Sequence, residues 1–130
     1  MSKPSSALSQ QIKIDVVTQY LKDRLPEEDK KYAFAYKIAI QNNTSEPVQL
    51  INRYWLITDA NGKKSEVKGP GVIGQQPVID PGKSYQYTSG AILDTPVGTM
   101  QGYYEMQVSD GHLFQAPIDV FSLAVPNVIN

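Results

Sequence analysis

The segment YAFAYKIAIQ, residues Tyr32 to Gln41, alternates bulky side chains with small or polar ones without a break. All the bulky residues share one parity: Tyr32, Phe34, Tyr36, Ile38 and Ile40. Successive side chains of a strand point to opposite faces of its sheet, so a period of two indicates a strand that is buried on one side. The segment therefore predicts a long β-strand whose register is fixed by its buried face.

The same period recurs along the rest of the chain. It is seen in QIKIDVVTQY (residues 11–20) and in the alternating residues of 100–108, and turn sequences rich in Gly, Pro and Asn separate the segments. No segment has a helical period, and the nine prolines would interrupt a helix. The pattern predicts an all-β protein, an immunoglobulin/fibronectin type III-like β-sandwich of about seven strands.

The strand from Val48 to Asp59 carries the only tryptophan, Trp55. Strict alternation divides its apolar residues between two faces, with Leu50, Tyr54 and Leu56 on one and Ile51, Arg53, Trp55 and Ile57 on the other. We expect Trp55 to fill the sandwich core. Two turns, Asn61-Gly62 and Asp110-Gly111, predict two-residue hairpins, because such pairs adopt positive φ angles readily.

The bulk composition limits the classes of function. Residues 1–10 are rich in Ser, Pro and Gln and predict a disordered N-terminal tail, while residues 11–130 predict one domain. Twelve basic and thirteen acidic residues leave no basic stripe for nucleic acid. There is no cysteine, and no apolar run resembles a signal peptide or a membrane span of about 20 residues. We expect a cytoplasmic protein, monomeric or weakly dimeric, that contacts neither nucleic acid nor membrane.

Gly69-Pro70-Gly71-Val72-Ile73-Gly74 matches the motif G-x-G-x-x-G. A dinucleotide-binding loop would have to open a helix, and Pro77 and Asp80-Pro81-Gly82 follow too closely to allow one. Two interpretations remain. The loop can present backbone N–H groups to an anion, with Lys68 nearby, or its glycines can simply let the chain cross between sheets. On the first interpretation the candidate ligand-binding residues are Lys68, Gly69, Gly71 and Gly74.

Catalytic and metal-binding chemistry find little support. His112 is the only histidine, there is no cysteine ligand, and neither a P-loop nor a G-x-S-x-G nucleophile elbow is present. We therefore predict no catalytic residue, no metal site and no cofactor.

Two long segments resemble the ApaG (CorD) family: NRYWLITDANGKKSEVKGPGVIGQQPVIDPGKSYQYTSG, Asn52 to Gly90, and TPVGTMQGYYEM, Thr95 to Met106. The resemblance implies a fibronectin type III-like sandwich and a link to cobalt tolerance and magnesium efflux. Family members commonly have His where Tyr54 stands and Cys where Ala91 stands. The resemblance therefore does not extend to direct metal binding by those side chains.

These observations favour a non-catalytic binding module. We expect its glycine-rich loop, with Lys68, Gly69, Gly71 and Gly74, to contact a protein partner or a phosphorylated small ligand. One alternative is an indirect regulator of divalent-cation homeostasis that binds no metal itself. The other is a nucleotide hydrolase.

Overall fold

The computed structural model describes residues 4–22 and 30–126, with side chains from residue 7 onward. This part of the chain consists of one short helix and eight strands. They are α1 (Pro4–Ser9), β1 (Ile12–Tyr20), β2 (Tyr32–Asn42), β3 (Val48–Asp59), β4 (Lys64–Pro70), β5 (Val78–Ile79), β6 (Ser84–Leu93), β7 (Val97–Val108) and β8 (Leu113–Ala124).

The strands form two antiparallel sheets. The three-stranded sheet has the order β1-β2-β6, and the five-stranded sheet has the order β4-β3-β7-β8 with β5 also paired to β3. The predicted immunoglobulin/fibronectin type III-like β-sandwich is thus confirmed. The count is eight because β5, only two residues long, continues the edge that β4 forms beside β3.

The core lies between the inner faces of the two sheets. The predicted buried face of β2 is confirmed, since Phe34, Tyr36, Ile38 and Ile40 are each at most 5% exposed. Trp55 of β3 is 2% exposed, as expected for a residue that fills the core. Its ring meets Tyr36 edge-on at 5.4 Å between centroids, so the two sheets contact each other through aromatic rings.

A β-bulge in β3 changes which residues face the core. Leu50 pairs with Met106 and Asn52 with Glu105, so Ile51 is an extra residue opposite β7. Side chains before and after the bulge therefore differ in parity, and Leu50 points inward together with Trp55. The predicted grouping of Leu50 with Tyr54 and Leu56 is wrong for this reason.

The two predicted two-residue hairpins are also wrong. The amide of Gly62 donates to the Asp59 carbonyl at 2.9 Å and the amide of Asp59 donates to the Lys63 carbonyl at 2.9 Å, which gives a three-residue loop. Gly62 alone has a positive φ, 89°. Gly111, with a φ of 91°, closes the β7–β8 loop in the same way. In both loops the left-handed glycine forms a bulge after an ordinary turn.

The N-terminal segment differs from the disordered tail expected over residues 1–10. Residues 4–9 form α1, and Leu8 packs against the core. Residues 1–3 and most of the charged loop before β2, residues 23–29, lie outside the described residues. Within residues 4–22 and 30–126, no helix combines the length and the apolar character needed to cross a membrane.

Candidate functional site

The candidate residues Lys68, Gly69, Gly71 and Gly74 lie along the end of β4 and the loop that follows it. This loop joins β4 to β5, and both strands pair with β3, so the chain returns to the sheet it left. The interpretation that these glycines carry the chain between sheets is wrong. The crossing occurs after β5, at the Asp80-Pro81-Gly82 turn, where the Lys83 amide donates to the Asp80 carbonyl.

Residues 71–76, called here the glycine hairpin, contain a two-residue turn. The amide of Val72 donates to the Gln75 carbonyl at 2.8 Å, and the amide of Gln75 donates back to the Val72 carbonyl at 3.0 Å. The two residues between them, Ile73 and Gly74, both have positive φ, 49° and 73°. Such a pair is characteristic of a type I′ turn. The tight hairpin expected at Asn61-Gly62 and at Asp110-Gly111 is therefore found here.

Ile73 is an unusual residue for this position. Left-handed backbone is disfavoured for all residues with a side chain, and most of all for β-branched ones. Its side chain is nevertheless 59% exposed at the tip of the turn. The hairpin thus presents an apolar group to solvent from a strained backbone.

The hairpin is anchored to the sandwich at several points. Val72 is 1% exposed and belongs to the core. The carbonyl of Ile51, the bulge residue of β3, accepts hydrogen bonds from the Gly71 amide at 2.7 Å and from Gln76 Nε2 at 2.9 Å. Arg53 Nη1 donates to the carbonyl of Gly71 at 3.0 Å. We conclude that the tip is held by a rigid base.

Two of the glycines lie in close contact with their neighbours, and at Gly71 the contact excludes any side chain. A Cβ at Gly71 would lie 2.0 Å from the Gln75 carbonyl oxygen, and the φ of 58° is itself left-handed. A Cβ at Gly69 would lie 3.1 Å from Arg53 Nη1, so a side chain there would press on the guanidinium. Gly69 and Gly71 therefore shape the site from within.

Three of the six amides of the hairpin are already hydrogen-bonded within the chain. The amides of Gly71, Val72 and Gln75 all donate to backbone carbonyls. A phosphate-binding nest needs several consecutive N–H groups pointing at the ligand. Because these three amides already donate hydrogen bonds, the interpretation of the glycine motif as a phosphate-binding loop is weakened.

A cavity of about 190 Å³, called here the inter-sheet cleft, opens beside the hairpin. Its walls combine both sheets with the turn: Tyr36, Arg53, Trp55, Val72, Ile73, Gly74, Tyr87 and Ser89. The bulge at Ile51 sets Arg53 and Trp55 on the inner face, which is why a guanidinium stands between the sheets.

The tyrosine hydroxyls of the cleft are partly or fully buried. Burial raises the pKa of Tyr36, although its hydrogen bond with Ser89 and the positive charge of Arg53 oppose this. Burial likewise raises the pKa of Tyr87, whose hydroxyl is hydrogen-bonded to that of Tyr104, and Arg53 again lowers it. The guanidinium charge therefore acts on the hydroxyls of the opposite sheet.

Lys68 lies apart from the cleft, on the outer face of the five-stranded sheet. Its Nζ is 5.7 Å from the ring centroid of Tyr54, which stacks on Tyr103 at 5.1 Å. The Tyr54 hydroxyl donates to Glu66 at 2.6 Å, and that hydrogen bond is the main cause of the raised pKa of Tyr54. Lys68 thus lines a shallow outer depression of about 360 Å³. The structure does not bring it together with Gly71 and Gly74.

His112 and the acidic side chains are the remaining candidates for metal binding. His112 lies in the β7–β8 loop, where its amide donates to the Asp110 carboxylate at 2.9 Å. Among residues 4–22 and 30–126, no three His, Cys, Asp or Glu side chains are grouped so that they could hold a metal ion.

Sequence reasoning missed Arg53 and Ile73 as members of the site. A signal for Ile73 was present, because a residue directly before Gly74 in a tight turn is a candidate for positive φ. Arg53 carried no such signal, since the carbonyls it contacts belong to residues 17 and 18 positions further along the chain.

Comparisons with known proteins agree with this architecture. The ApaG domain profile matches residues 22–108. A Pseudomonas putida protein called Protein ApaG is 52% identical over 92% of this chain and 95% of its own length. A Proteus mirabilis protein of the same name is 48% identical over 94% and 98%. An X-ray structure of a structural genomics target superposes with a TM-score of 0.89 at 47% identity, covering 93% of this chain and 92% of its own. On the strength of this sequence and fold similarity, the chain belongs to the ApaG domain family.

Proposed function

We propose that this chain is a non-catalytic binding module that recognises a protein partner through the glycine hairpin, with Ile73 as its central contact. The observation that carries the proposal is the combination found at Ile73, a φ of 49° and a side chain that is 59% exposed. The anchored base of the hairpin supports it, since a contact group held rigidly in place loses little entropy on binding.

The fold itself gives no reason for an isoleucine at this position. A left-handed backbone costs a residue other than glycine about 1–2 kcal/mol, and Asn-Gly is the preferred pair in a type I′ turn. Burial of Ile73 against its own chain offsets little of this backbone cost, because most of the residue is exposed to solvent. Recognition of an apolar pocket on a partner is a role that would use both the exposure and the rigidity.

The phosphorylated small ligand is the weaker candidate, because three amides of the hairpin already donate to carbonyls. Under the present proposal, a family link to cobalt tolerance and magnesium efflux would run through the partner. Nucleotide hydrolysis is supported by no arrangement of side chains in the described part of the chain, and the proposal does not include it.

The substitution Ile73→Asn tests the proposal. Asn tolerates the left-handed region, so we expect stability to rise by about 1 kcal/mol, which corresponds to a few degrees in Tm. Partner capture from an extract of the source cells should fall at least about tenfold, the loss of an apolar anchor worth roughly 1.4 kcal/mol. Thermal melting and quantitative mass spectrometry of the captured proteins measure the two effects on the same variant.

Ile92→Ala is the matched control, because Ile92 is an exposed isoleucine, at 58%, on the other sheet. It should leave capture unchanged. Undiminished capture by Ile73→Asn would refute the proposal. Binding of inorganic pyrophosphate to the wild type that disappears in Gly74→Ala would instead favour the phosphorylated ligand.

A further inference from the structure

The inter-sheet cleft has the features of a small binding site next to the proposed contact residue. It holds about 190 Å³ and is reached beside Ile73 and Gly74. Its lining includes one cationic side chain, Arg53, and no carboxylate. Charge complementarity therefore favours an anionic occupant.

The guanidinium of Arg53 is fixed in position while part of it stays available. Its Nη1 donates to the carbonyls of Pro70 at 3.1 Å and Gly71 at 3.0 Å. Within residues 4–22 and 30–126, no acceptor is recorded for its Nε or Nη2. A guanidinium has five N–H donors in a plane, and one edge of that plane matches the two oxygens of a carboxylate. The hairpin thus orients Arg53 and leaves an edge for a ligand.

The surroundings strengthen any interaction with this edge. Tyr36 is 5% exposed and Trp55 is 2% exposed, so the inner wall of the cleft is shielded from water. The hydroxyls of Tyr87 and Ser89 lie on the same sheet as Tyr36 and are hydrogen-bonded to those of Tyr104 and Tyr36. Charge-assisted hydrogen bonds are stronger in such a shielded setting than at an open surface.

We propose that the inter-sheet cleft binds a carboxylate of the protein partner, an Asp or Glu side chain or a chain terminus, on the available edge of Arg53. The assignment to a protein rests on the proposed function, because the carboxylate would lie next to the residue that contacts Ile73. Lys68 does not line the cleft, although it shares the outer depression with Arg53. A doubly charged phosphate would therefore be less well compensated than a carboxylate.

Trp55 provides the measurement, since it is the only tryptophan and lines the cleft. We expect sodium acetate to change its fluorescence saturably, with half-saturation on the order of 1–10 mM. Sodium chloride at the same ionic strength should not. Arg53→Gln should abolish the response, and Lys68→Gln, which removes a nearby cation outside the cleft, should retain it. No saturation in the wild type, or an unchanged response in Arg53→Gln, would overturn the inference. Inorganic phosphate that saturates at a tenfold lower concentration would overturn the choice of a carboxylate.

Arg53→Gln also loses the bonds to the hairpin, so a second pair of variants tests the cleft with Arg53 and those bonds in place. Ser89→Asp places a carboxylate inside the cleft and should abolish the acetate response, while Ser89→Asn should keep it. Unfolding of Ser89→Asp alone, or a wild-type acetate response from it, would contradict the inference. The titration uses the isolated protein. It can therefore fail while Ile73→Asn still loses its partner, or succeed while Ile73→Asn does not.

Discussion

A side chain at Gly71 would be unfavourable for two separate reasons. Its backbone is left-handed, with a φ of 58°, and a Cβ there would overlap the Gln75 carbonyl at 2.0 Å. Gly74 shares the first property, with a φ of 73°, but has no neighbouring atom within 4 Å of a Cβ. Substitutions at Gly71 and Gly74 therefore distinguish the cost of steric overlap from the cost of a left-handed backbone.

We predict that Gly71→Ala destabilises the protein by about 3 kcal/mol or more, because the hairpin must shift away from Gln75. Gly74→Ala should cost only about 1–2 kcal/mol, the penalty of the left-handed region alone. Urea denaturation of both variants measures the difference. Equal losses would show that the hairpin moves freely, contrary to its anchored base.

At the level of single residues, only part of the site could be predicted from the sequence. The glycine motif and the burial of Trp55 were visible in residue types and spacing. The contact between Arg53 and the carbonyls of Pro70 and Gly71 was not, because it depends on how β4 folds back along β3.

Within β3, the bulge at Ile51 determines the arrangement of the site. The extra residue turns Arg53 and Trp55 inward, and its carbonyl accepts two bonds from the glycine hairpin. Strict alternation could not predict this, because a bulge is a mismatch with the partner strand β7 and leaves no mark on β3 alone. The same limit explains the two hairpins whose length was wrong.

Deletion of Ile51 should make the pairing of β3 with β7 regular, keep Trp55 and Arg53 on the inner face, and remove the carbonyl that accepts two hydrogen bonds from the glycine hairpin. We expect a loss of about 2 kcal/mol, since the two hydrogen bonds that anchor the glycine hairpin each contribute about 1 kcal/mol. Ile51→Ala keeps the extra residue and should cost less than half as much. Chemical denaturation followed through Trp55 fluorescence checks both. A deletion variant with native stability would show that the bulge is dispensable.

At the scale of the whole molecule, the two sheets meet over buried tyrosines. Burial is the main cause of the raised pKa of Tyr36, Tyr87 and Tyr104. An unfolded phenol loses its proton near the ordinary value of 10.0, whereas these stay protonated in the folded state. The folded state therefore binds more protons above pH 10. The contribution of these tyrosines to the free energy of unfolding is therefore fully present below pH 10 and is lost as the pH rises.

We predict that the urea midpoint falls between pH 9 and about pH 11. Tyr87→Phe removes one phenol that ionises on unfolding, so its midpoint should fall less steeply over the same range. The comparison of slopes is independent of any constant loss caused by the missing bond to Tyr104. An identical slope in the variant would mean that Tyr87 does not contribute to alkaline unfolding.

The fold class was predictable as a whole because each apolar segment repeats the same period of two. The segment Tyr32 to Gln41 alone predicts a half-buried strand, and the turn signals predicted about seven of the eight strands. The pairing order was not predictable from these local patterns, because it places β6 beside β2 and β7 beside β3 across long separations. The short helix α1 was also missed, since its stability comes from packing of Leu8 and not from its own sequence.

The packing of α1 against β8 brings the first and last described elements of the chain side by side. Leu8 and Val125 both rest on the same core. A label on α1 and a second label on β8 would therefore report in one distance measurement whether both of these elements are in place.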